Sequence, residues 1–188
     1  LGLTGARIKG SDILYAGIGT AYMSSEKIND LMEALKSDDI SSFDDIDQTI
    51  ARFADDPGNA PIDEFRDLID AAFSEATAED ILNHLSDIDH DWARETFAVL
   101  QKMSPISLKV ITEQLNRDEK LAFDECMVME YRIVCAISAY DSDFYEGVRA
   151  VLIDKDHNPK WMPASLNEVS HDMVLAHFDA PSSGDLSY

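Results

Sequence analysis

The chain of 188 residues contains only two cysteines, too few for a disulfide scaffold, and their spacing is no metal signature. No apolar run reaches the roughly 18 residues that a bilayer-spanning helix requires. Cations are also scarce, because 15 lysines and arginines face 37 aspartates and glutamates, for a formal net charge of -22. A surface of that sign repels phosphate backbones and anionic lipids, so neither nucleic acid nor membrane is expected as a partner.

Most of the negative charge lies within residues 30–91. This stretch holds 19 acidic residues against Lys36, Arg52 and Arg66, and so carries -16 of the total. The solvated faces of small helices account for such a stretch, and a docking surface for a basic partner is the alternative. Nothing in the spacing of the charges favours the alternative.

Apolar residues recur at helical spacing from Ser24 onward. The pattern predicts helices around 28–35, 46–53, 65–73, 81–85, 92–100 and 106–115, and a longer helix over 119–138 that is apolar on most faces. Thr77, Ser104 and Asp143 stand where a side-chain cap is expected. The glycine-rich segment 1–24 predicts one short helix and one extended piece over 18–23. The fold class that follows is mainly α.

One loop carries part of a calcium-binding pattern. Asp154, Asp156 and Asn158 match the first three side-chain ligands of such a loop. Pro159, however, stands where the pattern needs glycine, and Ser165 stands where it needs a bidentate glutamate. A calcium site is therefore not predicted.

The other residue types that carry chemistry form no complete site. The five histidines include no pair at i, i+4. Glu146 and Arg149 are three residues apart on a predicted helix, which indicates a surface ion pair. Cys126 and Cys135 are expected to be core thiols. No residue is therefore predicted to be catalytic or to bind a metal.

Short runs of sequence near both ends of the chain form a recognisable set. They are LTGARIKG at 3–10, AGIGT at 16–20, SPISLK at 104–109, MEYR at 129–132 and DFYEGVRAVLIDKD at 143–156, the last followed by PKW at 159–161. Together they resemble the crotonase (enoyl-CoA hydratase/isomerase) superfamily. The last run is most similar to the 3-hydroxyisobutyryl-CoA hydrolase branch of it, whereas residues 36–100 carry little of the resemblance.

The resemblance implies a place within a longer protein. In that superfamily an α/β spiral comes first and holds the oxyanion hole and the catalytic carboxylates, upstream of the LTG run. Residues 1–24 would then be the end of the spiral core and 25–188 the C-terminal helical region, so no catalytic residue is carried over. Lys155 and Arg149 are implied to lie beside the adenine end of coenzyme A, with Lys155 better placed for the 3′-phosphate. An ordinary surface lysine is the alternative.

For the whole protein the resemblance implies hydrolysis of the thioester of 3-hydroxyisobutyryl-CoA in valine breakdown. A hydratase or isomerase of the same superfamily is the nearest alternative, and a non-catalytic acidic helical interaction module is the alternative of another class. The chain alone is expected to be inactive.

The expected partners are the acyl-CoA substrate, the missing N-terminal half and, as an option, further copies in a homo-oligomer. Coenzyme A enters as part of the substrate, so no separate cofactor is implied. A bacterial cytoplasm is the expected location, or the mitochondrial matrix if the source is eukaryotic.

Overall fold

A computed structural model describes residues 1–37, 39–118 and 120–187. Helices of all types account for 61% of it, and none of the described residues lies in a β-strand. The mainly helical class expected from the sequence is confirmed. The extended piece expected over 18–23 does not form a strand, because it has no neighbouring strand to pair with. The carbonyl of Tyr22 instead accepts one hydrogen bond, from the Asp55 N–H at 2.7 Å.

The α-helices follow the predicted periodicity closely. They are α1 (Ser11–Tyr15), α2 (Ile28–Ser37), α3 (Phe43–Phe53), α4 (Arg66–Phe73), α5 (Ala78–Asp87), α6 (Asp91–Leu100), α7 (Pro105–Asp118), α8 (Phe123–Ile137), α9 (Asp143–Val148) and α10 (His171–Leu175). A π turn, Arg149–Ile153, follows α9 directly. Across the part of the chain that the structure describes, no helix combines the length and apolarity needed to cross a bilayer.

Two of the three predicted caps are present. Thr77 accepts a hydrogen bond from the N–H of Asp80 at 3.1 Å, and Ser104 accepts one from the N–H of Ser107 at 3.2 Å. The expectation that Asp143 caps a helix is wrong. Asp143 is instead the first residue of α9, where its carboxylate faces other partners.

The chain divides into two compact units. The first consists of Leu1–Gly5 and the chain from Asp70 onward, and its buried apolar side chains form two clusters. One cluster contains Leu3, Ala72, Ala78, Ile81, Leu85, Ala93, Leu100 and Leu108, and the other contains Ile106, Val110, Met129, Ile133, Val169, Val174 and Phe178. Helix α7 contributes to both. The division follows contacts within the chain, and the assignment of residues 1–24 to a spiral core stays a prediction.

Helix α8 is less buried than its sequence suggests. It begins at Phe123 rather than near residue 119, and Glu119 itself lies outside the described residues. Only Met129 and Ile133 are buried within it, whereas Phe123 is 76% exposed. The helices of this chain therefore cover only one face of α8 and leave apolar side chains exposed on the others.

The second unit, Ala6–Ile69, has little interior of its own. Among its described residues only Thr49 is buried, and Phe43 is 86% exposed. An ion pair between Lys27 and Asp55 joins the start of α2 to the end of α3. Such a unit depends on half-buried contacts and is expected to open more readily than a cored one.

Candidate functional site

The two residues implied to lie beside coenzyme A belong to one corner of the first unit. Arg149 is the first residue of the π turn, and Lys155 is the second residue after that turn ends. The turn closes with a hydrogen bond of 2.8 Å from the N–H of Asp154 to the carbonyl of Arg149, five residues earlier. This turn is wider than an α-helical turn, and the chain continues from it into a loop over 154–162.

The guanidinium of Arg149 is the centre of this corner. Its Nε and Nη2 donate to the two carboxylate oxygens of Glu146, each at 2.8 Å. Its Nη1 donates to Asp154 at 2.6 Å and to Asp156 at 2.8 Å, and Nη2 also donates to the carbonyl of Asn158 at 3.3 Å. A guanidinium carries five N–H donors, so every donor of Arg149 has an acceptor within the chain.

These contacts keep the surrounding carboxylates ionised. Hydrogen bonding from Arg149, followed by that from the backbone N–H of Lys160, lowers the pKa of Glu146 from 4.5 to about 2. The pKa of Asp156 is also lowered, first by Arg149 and then by the N–H of Asn158. The same carboxylates raise the pKa of Arg149. Glu146, Asp156 and Arg149 therefore stay charged throughout the physiological range.

Lys155 has an unusual backbone conformation. Its φ is 55°, and that of His157 is 51°, which places both in the left-handed region. Such a conformation costs a residue with a side chain about 1–2 kcal/mol and persists only where the surroundings fix it. The bonds from Arg149 to Asp154 and Asp156, on either side of Lys155, supply that constraint. The Lys155 side chain is exposed and forms no ion pair with any described residue.

The far end of the loop is fixed by Trp161. Its indole N–H donates to the carbonyl of Lys102 at 2.9 Å. The ring lies over Gly147 of α9, where an added Cβ would sit 3.5 Å from the nearest ring carbon. A small residue at 147 therefore lets the indole approach the helix.

Asp143 ties the same loop to two helices. One of its oxygens accepts the hydroxyl of Ser104 at 2.5 Å, and the other accepts the N–H of Met162 at 3.0 Å. Ser104 is largely buried and precedes α7, while Asp143 begins α9. The loop is thus held at its start by Arg149 and at its end by Trp161 and Asp143.

The corner differs in charge and polarity from the rest of the chain. Residues 149–161 carry three cations and two carboxylates, and the carboxylates of Glu146 and Asp143 that bind this segment bring the corner to a net charge of -1, in a chain of -22. Within the same segment the apolar side chains of Leu152 and Ile153 are 65% and 68% exposed. Contiguous exposed apolar side chains of this kind mark surfaces that another molecule or segment covers.

A separate cleft of about 260 Å³ in the first unit lies among α5, α7 and α10. The Nζ of Lys109 lies 2.6 Å from a carboxylate oxygen of Glu79 and donates to the carbonyl of Val169 at 3.0 Å. The lysine of the SPISLK run therefore joins elements of the fold. Among the described residues no group of three or more histidine, cysteine or acidic side chains could hold a metal ion.

The arginine cluster is larger than its sequence indicates. The spacing of Glu146 and Arg149 predicts their ion pair, which is present. It does not predict that Asp154, Asp156 and Asn158, tested as calcium ligands, converge on Arg149 instead. Helical spacing cannot place them, because a π turn and two left-handed residues intervene. The only signal in the sequence is the surplus of carboxylates around a single arginine.

The helical fold and the short motifs at its corner are those of a known family of coenzyme A-dependent enzymes. Residues 1–178 match the model of the enoyl-CoA hydratase/isomerase family, and the chain belongs to that family. The resemblance drawn from the sequence is confirmed.

The similar proteins are curated hydrolases and solved crotonase-fold structures. The chain is 38% identical over 193 residues to "3-hydroxyisobutyryl-CoA hydrolase, mitochondrial" of Homo sapiens, covering 100% of this chain and 50% of that protein. The Danio rerio protein of the same name is 36% identical over 191 residues, covering 99% and 50%. The chain thus spans about half the length of the curated relatives that it matches.

Two solved structures share the fold. A carnitinyl-CoA dehydratase from Mycobacterium thermoresistibile superposes with a TM-score of 0.80 at 33% identity, covering 97% of this chain and 51% of that one. An enoyl-CoA hydratase from Rhodobacter sphaeroides superposes with a TM-score of 0.82 at 27% identity, covering 100% and 52%. Both are crotonase-fold proteins, about half of which this chain covers.

Proposed function

We propose that the chain is the C-terminal half of an enzyme that hydrolyses the thioester of 3-hydroxyisobutyryl-CoA in valine breakdown. The observation that carries the proposal is 38% identity, across the whole chain, to a hydrolase of that name. The DFYEGVRAVLIDKD run, which is most similar to the hydrolase branch, supports the same assignment.

The chemistry is assigned to the other half of the enzyme. There, backbone N–H groups stabilise the negative charge that develops on the thioester oxygen, and a carboxylate accepts a proton from the attacking water. The carbon–sulfur bond then breaks, and the thiolate of coenzyme A takes up a proton as 3-hydroxyisobutyrate leaves. No residue of this chain takes part in those steps, so the chain alone is proposed to be inactive.

The contribution of this half is proposed to be the binding of the coenzyme A portion of the substrate. Lys155 and Arg149 lie at the same corner, and the Lys155 ammonium is exposed and unpaired among the described residues. An ammonium group of this kind attracts the 3′-phosphate at the adenine end. Coenzyme A is part of the substrate, and no separate cofactor is proposed.

The N-terminal half is also the proposed cover for the exposed apolar side chains. In this half Leu152, Ile153 and Phe123 are 65%, 68% and 76% exposed. Contact with a further copy of the chain is the alternative. The relatives are named mitochondrial, and a bacterial cytoplasm or a mitochondrial matrix stays a prediction for this protein.

The test is an assay of the full-length protein with two substrates. Release of free thiol from 3-hydroxyisobutyryl-CoA, without hydration of crotonyl-CoA, is the expected result. Hydration without thiol release would instead favour the hydratase alternative, which the two solved structures support. Neither reaction, together with no binding of coenzyme A, would favour a non-catalytic interaction module.

A further inference from the structure

The loop that carries Lys155 is held in one conformation by a residue that has no donor left for a ligand. We infer that Arg149 is a positioning residue, which fixes this loop so that Lys155 selects the 3′-phosphate of coenzyme A, and that Arg149 does not bind the phosphate itself. The inference rests on the proposed function and assigns separate roles to the two cations.

The first argument is the hydrogen bonding of Arg149. Its five N–H donors are directed to Glu146, Asp154, Asp156 and the carbonyl of Asn158. A phosphate could bind the guanidinium only by displacing one of these carboxylates. The guanidinium therefore acts within the fold, whereas the exposed ammonium of Lys155 is free to meet a ligand.

The second argument is the position of Lys155 between two carboxylates. Asp154 and Asp156 flank it in the sequence, and the same Nη1 atom of Arg149 binds both. These two hydrogen bonds hold the backbone of Lys155 in the left-handed region, at a φ of 55°. They also neutralise charge that would repel a phosphate, so loss of Arg149 would leave Lys155 misplaced between two unpaired anions.

The third argument is that the other end of the loop is equally fixed. The N–H of Lys160 donates to Glu146 at 2.6 Å, and the indole of Trp161 binds the carbonyl of Lys102. A loop anchored at both ends does not have to be ordered when a ligand arrives, and such preorganisation favours affinity.

The experiment measures how strongly the full-length protein distinguishes coenzyme A from 3′-dephospho-coenzyme A, using isothermal titration calorimetry. The unsubstituted protein is expected to bind coenzyme A about tenfold more tightly, as one charge-assisted contact allows. Lys155→Ala removes this preference. Arg149→Gln also removes it, although Lys155 is still present. Arg94→Gln is the matched control, since Arg94 of α6 binds Asp91 of the same helix and Asp89 just before it, and it should leave the preference intact.

The double variant separates positioning from direct binding. If Arg149 acts through Lys155, Arg149→Gln causes no further loss of preference in the Lys155→Ala background. If the two losses multiply, Arg149 is a ligand and the inference is wrong. A preference that survives Arg149→Gln while the melting temperature falls would assign Arg149 a purely structural role, which also overturns it.

A second variant decides the matter if Arg149→Gln does not fold. Asp156→Ala removes a negative charge beside Lys155, so charge alone predicts a stronger preference for the 3′-phosphate. If Asp156 helps to position Lys155, the Asp156→Ala variant should show a weaker preference for the 3′-phosphate. A stronger preference in this variant would overturn the inference. The proposed function fails separately: a protein that shows these effects but releases no thiol from the acyl-CoA would keep the positioning role and lose the hydrolase assignment.

Discussion

Arg149 and Glu146 form a bidentate ion pair across one turn of the chain, with both nitrogen–oxygen distances at 2.8 Å. Their side chains are 29% and 22% exposed, so water screens the pair only in part. Because the same arginine also binds Asp154 and Asp156, the pair is the base of a network that shapes the following loop.

The network predicts an acid-sensitive contribution to stability. Glu146 titrates at about 2 in the folded protein but near 4.5 when unfolded. Between these values the unfolded chain binds more protons, so its contribution is complete above pH 4.5 and is lost as the pH falls toward 2. Melting temperatures measured over this interval should fall less steeply for Glu146→Gln than for the unsubstituted protein. If the melting temperatures of both proteins fell equally steeply with pH, the lowered pKa of Glu146 would be contradicted.

The contact between Gly147 and the ring of Trp161 predicts that only a small side chain fits at position 147. An alanine Cβ would lie 3.5 Å from the ring, an ordinary contact, so Gly147→Ala should be close to neutral. Gly147→Leu should displace the indole and destabilise the protein by about 1–3 kcal/mol. Tryptophan fluorescence and denaturant unfolding report the two effects, with Gly147→Ala as the control. A leucine variant with unchanged fluorescence and stability would mean that the indole does not rest on this helix.

Burial predicts that truncating two leucines to alanine has very different effects on stability. Leu85 is 1% exposed, so Leu85→Ala should lower the unfolding free energy of the 188-residue chain by about 2–5 kcal/mol. Leu152 is 65% exposed, so Leu152→Ala should have little effect in that chain. In the full-length protein the same Leu152 change should be destabilising, since the N-terminal half is proposed to cover it. Equal effects of Leu152→Ala in both chains would contradict that cover.

The second unit is predicted to exchange its amide hydrogens faster than the first. Its described residues include no buried apolar side chain, whereas α5 to α7 surround Leu85 and Leu100. Amides of α2 and α3 should therefore open without unfolding the rest. Hydrogen exchange with mass spectrometry, on the 188-residue chain, measures this directly. Uniform protection across both units would show that contacts outside a buried core hold α2 and α3 in place.

Periodicity and capping residues were sufficient to predict most helices. Thr77 and Ser104 mark helix starts because a side-chain oxygen can meet a free backbone N–H, a purely local relationship. The apolar residues of α8 indicate surface to be covered on several sides, but which sides are covered depends on the neighbours that are present. Phe123 stays exposed for that reason.

The candidate site was likewise predictable from the sequence only in part. The pairing of Glu146 with Arg149 follows from helical spacing and was predicted. The convergence of Asp154 and Asp156 on Arg149 depends on backbone angles that no spacing rule encodes. The importance of Lys155 came from the family resemblance alone, and its role stays a proposal.

Helix α7 has a further consequence for how the first unit melts. Leu108 belongs to one buried cluster, whereas Ile106 and Val110, two residues away on either side, belong to the other. If α7 moves away from one cluster, the apolar side chains of the other are also exposed to water. Because the two buried clusters share α7, we expect them to unfold together in a single cooperative step. A substitution that destabilises α7 should therefore destabilise both clusters.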